Sequence, residues 1–157
     1  MLIKIGEKEY TIEYTFEASL YGECTEKIAN LQVGLSMAYM QANIKTDSDG
    51  EAKDNISSAL KDVIRSMSDL PQAVLTLFYA GLMEKHGADG DQTVTSKADA
   101  KKLLKQYFAE NTDKDYYDVM NMLTEQMAAD DFFKRVGLDK MMSQMFGQTE
   151  KKKAGKK

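Results

Sequence analysis

Apolar and polar residues alternate convincingly only once along this chain, at its start. Leu2-Ile3-Lys4-Ile5 precedes the polar stretch Gly6-Glu7-Lys8-Glu9, which leads into Tyr10-Thr11-Ile12-Glu13-Tyr14-Thr15-Phe16. In the second run Tyr10, Ile12, Tyr14 and Phe16 share one face, with Thr11, Glu13 and Thr15 on the other. That period of two, in β-branched and aromatic residues, is the mark of a half-buried strand. The two runs predict an antiparallel hairpin over about residues 1–16, turning near Gly6. A lone hairpin is marginal in water, so its aromatic face must lie on helices or on another subunit's sheet.

From Glu17 the period lengthens to that of helices. Ala18, Leu20, Tyr21, Cys24 and Ile28 recur at three- and four-residue steps, and Leu31, Leu35, Ala38, Tyr39 and Ala42 extend the pattern, with Gly34 a break or a close contact. After the polar loop Lys45-Thr46-Asp47-Ser48-Asp49-Gly50, residues Ile56, Leu60, Val63, Ile64 and Met67 mark another helix. Ser68 or Asp69 is suited to cap a new helix with Pro71 in its first turn. The run from Ala73 to Met83 is apolar almost all round, as a centrally buried helix is. Gly81 within it would admit a neighbouring helix closely, and Gly87 through Gly90 ends the element.

Thr93-Val94-Thr95-Ser96 then leads into a helix carrying Ala100, Leu103, Leu104, Tyr107 and Phe108. Asn111-Thr112-Asp113 starts a long element bearing Tyr116, Val119, Met120, Leu123, Met127 and Phe132, and Gly137 interrupts before Leu138, Met141, Met142, Met145 and Phe146. The whole predicts an α+β fold, mostly α, with an N-terminal β-hairpin packed on a multi-helix body. One domain should span residues 1–147, and a disordered, Lys-rich, flexible basic tail residues 148–157.

A chain of 157 residues with 43% hydrophobic content can bury the core of one such domain. Its net charge of −4 is unevenly spread: the last seven residues hold five of the 21 basic groups, which leaves 16 against 25 acidic ones over residues 1–150. An acidic body repels phosphate backbones and anionic lipid, so neither nucleic acid nor membrane is expected as a partner. No apolar run approaches the roughly 18 residues of a membrane span, and residues 1–8 lack the apolar centre of a signal peptide. The expected location is therefore a cytoplasm. One cysteine, Cys24, excludes an internal disulfide, and one histidine, His86, leaves no Cys/His set for zinc.

Catalytic patterns are hard to find. Aligning Gly50 with the invariant glycine of a calcium loop puts Lys45 first and Ile56 last, where carboxylates are required, and Gly90 aligned likewise gives Lys85 and Ser96. Cys24 lies on an apolar stripe between Glu23 and Glu26, a setting that raises a thiol's pKa, so it is expected in the core and His86 near a helix C-terminus. Asp113 and Asp115, or Asp130 and Asp131, have no histidines or Gly-rich phosphate loop beside them and are expected at helix caps or solvated faces. No dinucleotide fingerprint, phosphate-binding loop or nucleophile elbow occurs. An enzyme is not expected, nor a cofactor or metal.

Six of the eleven methionines lie between Met120 and Met145. Methionine adapts to irregular neighbours and suits surfaces that meet more than one partner. The adjacent pairs Phe132-Phe133, Met141-Met142 and Met145-Phe146 cannot all be buried on one narrow helical stripe. Either the segment is sandwiched between two elements, or it offers a groove or anchor to a partner. Phe132, Phe133, Met141, Met142, Met145 and Phe146 are accordingly the candidate partner-binding residues.

The hairpin from Ile3 to Phe16 running directly into a helix, then the apolar helix with Leu77-Phe78-Tyr79-Ala80-Gly81-Leu82, then a loop, the turn Thr93-Val94-Thr95 and a further helix, resembles the tail assembly chaperones of long-tailed bacteriophages. The resemblance covers roughly residues 2–108 and leaves out the methionine-rich end and the lysine tail. It implies a small acidic helical factor, in the cytoplasm of an infected or lysogenic host, that keeps the tape-measure protein soluble and recruits the tail tube protein. It brings no catalytic residues. It further implies a longer form made by ribosomal frameshifting, for which Lys151-Lys152-Lys153 would supply A-rich codons. The hairpin edge would allow self-association. A structural tail or head-completion component, and an adaptor domain binding a partner helix, are the alternative readings.

Overall fold

The computed structural model describes residues 1–30, 51–141 and 143–144, with the backbone alone described over 51–67. Strands β1 (Leu2–Ile5) and β2 (Lys8–Thr11) pair antiparallel, with Ile3 opposite Tyr10 and Ile5 opposite Lys8. Gly6 takes φ of +64° in the two-residue turn, a conformation that matches the twist of the strands and that glycine adopts without strain. β2 is shorter than the alternation predicts. Beyond Thr11 the chain finds other partners: Ile12 and Met1 exchange two backbone hydrogen bonds of 2.8 Å, and the Glu13 amide donates to the Gly81 carbonyl at 2.9 Å. Burial keeps its period of two through Ile12 and Tyr14, both fully buried, and stops at Phe16, which is 60% exposed. Phe16 begins a helix, and there the face that points inward changes.

That helix, α1 (Phe16–Leu20), ends at Tyr21, and residues 22–30 form α2. The expected single stripe is therefore broken. Ala18, Cys24 and Ile28 are buried, but Leu20 is exposed, because the interruption at Tyr21 resets the helical register. The continuation over residues 31–50, with its expected helix from Leu31 to Ala42, lies outside the described residues.

The longest element is α3 (Glu51–His86), 36 residues with Pro71 inside it. A new start at Ser68 or Asp69 is not seen. A proline within a helix forfeits one backbone bond and crowds the preceding turn. Here the residues that follow are packed tightly enough to carry the helix across, since Ala73 to Phe78 are all buried. Helix α4 (Lys97–Glu110) is capped by the Ser96 hydroxyl, which accepts the Asp99 amide at 3.2 Å. Helix α5 (Tyr116–Ala129) starts later than expected, at a reciprocal cap: Asp115 accepts the Tyr117 and Asp118 amides at 2.8 and 2.9 Å, and Asp118 accepts that of Asp115 at 3.1 Å. It also stops earlier. Asp131 is left-handed (φ 54°), and a short α6 (Phe132–Arg135) follows, with residues 138–141 again helical.

One core joins these elements. Ile3, Ile5, Tyr10, Ile12 and Tyr14 from the hairpin segment meet Val74, Leu77, Phe78 and Leu82 of α3, Leu104 of α4, Leu123 and Met127 of α5, and Phe132. The fold is α+β and mostly α. No helix among the described residues is long and apolar enough to cross a membrane. The basic tail at 148–157 lies outside the described residues.

Candidate partner-binding surface

Strand pairing turns the backbone groups of Ile3, Ile5, Lys8 and Tyr10 towards each other. The Thr11 amide faces away from β1, and beyond the Ile12 pair with Met1 the chain leaves that strand, so an unpaired N–H buried there would cost about 1–3 kcal/mol. Side chains from the helix ends meet this demand. His86, the last residue of α3, accepts the Thr11 amide on Nε2 at 2.9 Å. Asp130, just beyond α5, accepts the Tyr14 amide at 2.7 Å and is itself held by Gln126 at 2.8 Å. Glu84 accepts the Glu17 amide in the first turn of α1 at 3.1 Å, and Glu110 at the end of α4 accepts the Gly6 amide at 2.8 Å. Glu110's carboxyl lies below the usual range, chiefly through the Gly6 amide.

Gly81 is where the hairpin segment comes closest to α3. A Cβ there would stand 2.6 Å from Ile12 Cγ2 and 3.1 Å from Tyr14 Cζ, and Tyr14's hydroxyl donates to the Leu77 carbonyl at 3.0 Å. Gly81 thus admits the hairpin segment and not, as expected, another helix.

The candidate partner-binding residues divide. Phe132 is fully buried, its ring 5.8 Å from that of Tyr14, so it is a core residue and its predicted role on a surface is corrected. The break at Asp130–Asp131 causes this by turning Phe132 under the hairpin. Phe133 is half-buried beside it, and Met141 is 40% exposed. Met142, Met145 and Phe146 lie outside the described residues. Among the methionines of α5, Met120 and Met127 are buried and Met122 is half-buried, so this stretch is mainly core.

Other exposed apolar groups escaped the sequence reading. Phe16 and Leu20 lie four residues apart on α1, which puts them on one face, and Leu2 is 64% exposed on β1. Tyr117 is 65% and Tyr116 40% exposed at the start of α5, although the helical pattern placed Tyr116 inside. Adjacent bulky residues signalled a wide surface at Phe132-Phe133, and the same signal was present at Tyr116-Tyr117. Tyr116 packs edge-on against Phe108 at 4.7 Å. Close by, Tyr107, Lys114, Asp118, Val119, Met122 and Glu125 line a cleft of about 300 Å³ between α4 and α5.

The groups best suited to chemistry are occupied. Cys24 is fully buried, and burial pushes its thiol up to about 12, far from the thiolate a nucleophile needs. Both ring nitrogens of His86 have partners, Thr11 on one side and Asp91 at 2.9 Å on the other. Among the described residues no three of His, Cys, Asp and Glu are grouped to hold a metal ion.

What these elements define is a mostly helical α+β protein with a docked hairpin and exposed apolar side chains on an acidic body. Compared with known proteins, the chain matches no protein-family model, and no curated protein or solved structure is detectably similar to it.

Proposed function

We propose that this chain is a non-enzymatic assembly chaperone for the tails of long-tailed phages. In the host cytoplasm it covers apolar helical stretches of the tape-measure protein and helps to recruit tail tube subunits. The observation that carries the reading is the set of large apolar side chains left exposed at Leu2, Phe16, Leu20, Tyr116, Tyr117 and Met141. They stand on a body whose charge over residues 1–150 is acidic. A long apolar client aggregates unless its surface is covered before assembly. Small apolar contacts of this kind are weak singly and add up when many copies line one template. The order of hairpin, short helix, central apolar helix, turn and helix supports the same reading. Self-association belongs to the proposal too. It falls to β1, where Leu2 and Lys4 turn their backbone groups away from β2.

Co-expression with the neighbouring long reading frame tests this. The wild-type chain should bring the tape-measure protein into the soluble fraction. Phe16→Ser/Leu20→Ser and Tyr117→Ser variants should fail to do so while keeping the wild-type melting temperature. A client that stays insoluble with the wild-type chain, or abundant copies of the chain in purified virions, would overturn the proposal.

A further inference from the structure

We infer that His86 is a proton-operated latch: a proton taken up at Nε2 releases the edge of β2 at Thr11 while the rest of the hairpin segment stays docked. A backbone amide can only donate, so the Thr11 N–H at 2.9 Å requires Nε2 to be a bare acceptor. The imidazole is then neutral with its proton on Nδ1, aimed at Asp91 Oδ2 at 2.9 Å. The imidazolium donates from both nitrogens. Two N–H groups cannot face each other at that distance, so one of the two bonds of the ring must give way.

The surroundings decide which one. Asp91 is held by the Thr93 amide at 3.0 Å and the Thr93 hydroxyl at 2.6 Å, and its N–H bonds back to the Lys85 carbonyl at 2.8 Å. Those two Thr93 hydrogen bonds, with a lesser contribution from His86, hold its carboxyl down to about 2, so it stays charged wherever an imidazole titrates. A charged ring binds this carboxylate more strongly than a neutral one. The ring therefore remains with the loop and the Thr11 amide leaves. On the strand side the ring meets Tyr10, edge-on at 5.2 Å, and Lys85 beside it is paired with Glu13 at 3.5 Å. The amides of Glu13 and Tyr14 bond to Gly81 and Asp130, with no imidazole in either bond. Acidification thus frees one outward-facing strand edge without undocking the hairpin. The latch goes beyond the chaperone reading and does not rest on it.

The test is residue-resolved amide hydrogen exchange on the full chain at pH 7.0 and pH 5.0, corrected for intrinsic rates. His86 is the chain's single histidine, so any imidazole response is its own. Protection at Thr11 should fall about tenfold or more on acidification, the scale of losing one such hydrogen bond. Protection at Glu13 and Tyr14 should change less than about twofold, since neither loses a bond. In His86→Gln an amide oxygen replaces Nε2 as acceptor and does not titrate, so Thr11 should be equally protected at both pH values. Long-range proton–nitrogen spectra of the wild type at pH 7.0 should place the ring proton on Nδ1. Unchanged Thr11 protection in the wild type, a parallel fall in His86→Gln, or a proton on Nε2 would each overturn the latch.

Discussion

Replacing Gly81 by alanine sets two effects of opposite sign against each other. Inside a helix alanine is favoured over glycine by about 0.8–1.0 kcal/mol, and on that ground alone the variant should be more stable. Against this, the new methyl group would stand 2.6 Å from Ile12 Cγ2 and within 3.2 Å of the Tyr14 ring and hydroxyl. Neither neighbour can swing away, because both are fully buried. The hairpin segment must therefore lift from α3. Lifting stretches the Glu13 amide bond to the Gly81 carbonyl, now 2.9 Å, and the Tyr14 hydroxyl bond to the Leu77 carbonyl, now 3.0 Å. Overpacking costs about 1–3 kcal/mol, and each weakened hydrogen bond up to about 1 kcal/mol. Set against the helical gain, the expected loss is about 2–3 kcal/mol. For a chain of this size that lowers the melting temperature by about 5–10 °C. Urea unfolding followed by far-ultraviolet circular dichroism gives the free energy, and a thermal melt gives the shift. A melting temperature equal to or above that of the wild type would mean that helix propensity outweighs contact with the hairpin segment.

Two further substitutions and one labelling experiment follow from burial. Phe132→Ala should cost about 3–5 kcal/mol in urea unfolding, whereas Met141→Ser should shift stability by less than about 0.5 kcal/mol. Equal, small effects at both positions would return Phe132 to the surface. Cys24 should resist a thiol-specific disulfide reagent in the native protein and react stoichiometrically in urea, because burial holds its thiol up near 12. Rapid native labelling would show that the inner face of α2 is not buried.

Local periodicity shows which residues alternate and which recur. Period two in the second run placed Tyr10, Ile12, Tyr14 and Phe16 on one face, and the first three are buried. The continuous apolar run placed Val74, Leu77 and Phe78 at the centre, and the apolar stripe placed Cys24 in the core. These follow from local geometry, since a strand or helix repeats its inward face at a fixed step. Where a repeat is cut, and what lies beneath each unpaired backbone group, is set by packing between elements. The interruption at Tyr21 left Leu20 outward, although the period assigned it to a stripe, and the break at Asp130–Asp131 seats Phe132 in the core on a separate short helix and not on a continuous one. Dense packing after Pro71 carried α3 through a residue that would otherwise end it. The acceptors that dock the hairpin segment, His86, Asp130, Glu84 and Glu110, lie between 67 and 116 residues from the amides they bind. No periodic signal spans such distances: a carboxylate or imidazole becomes an anchor only because the end of its helix comes to rest under an unpaired N–H.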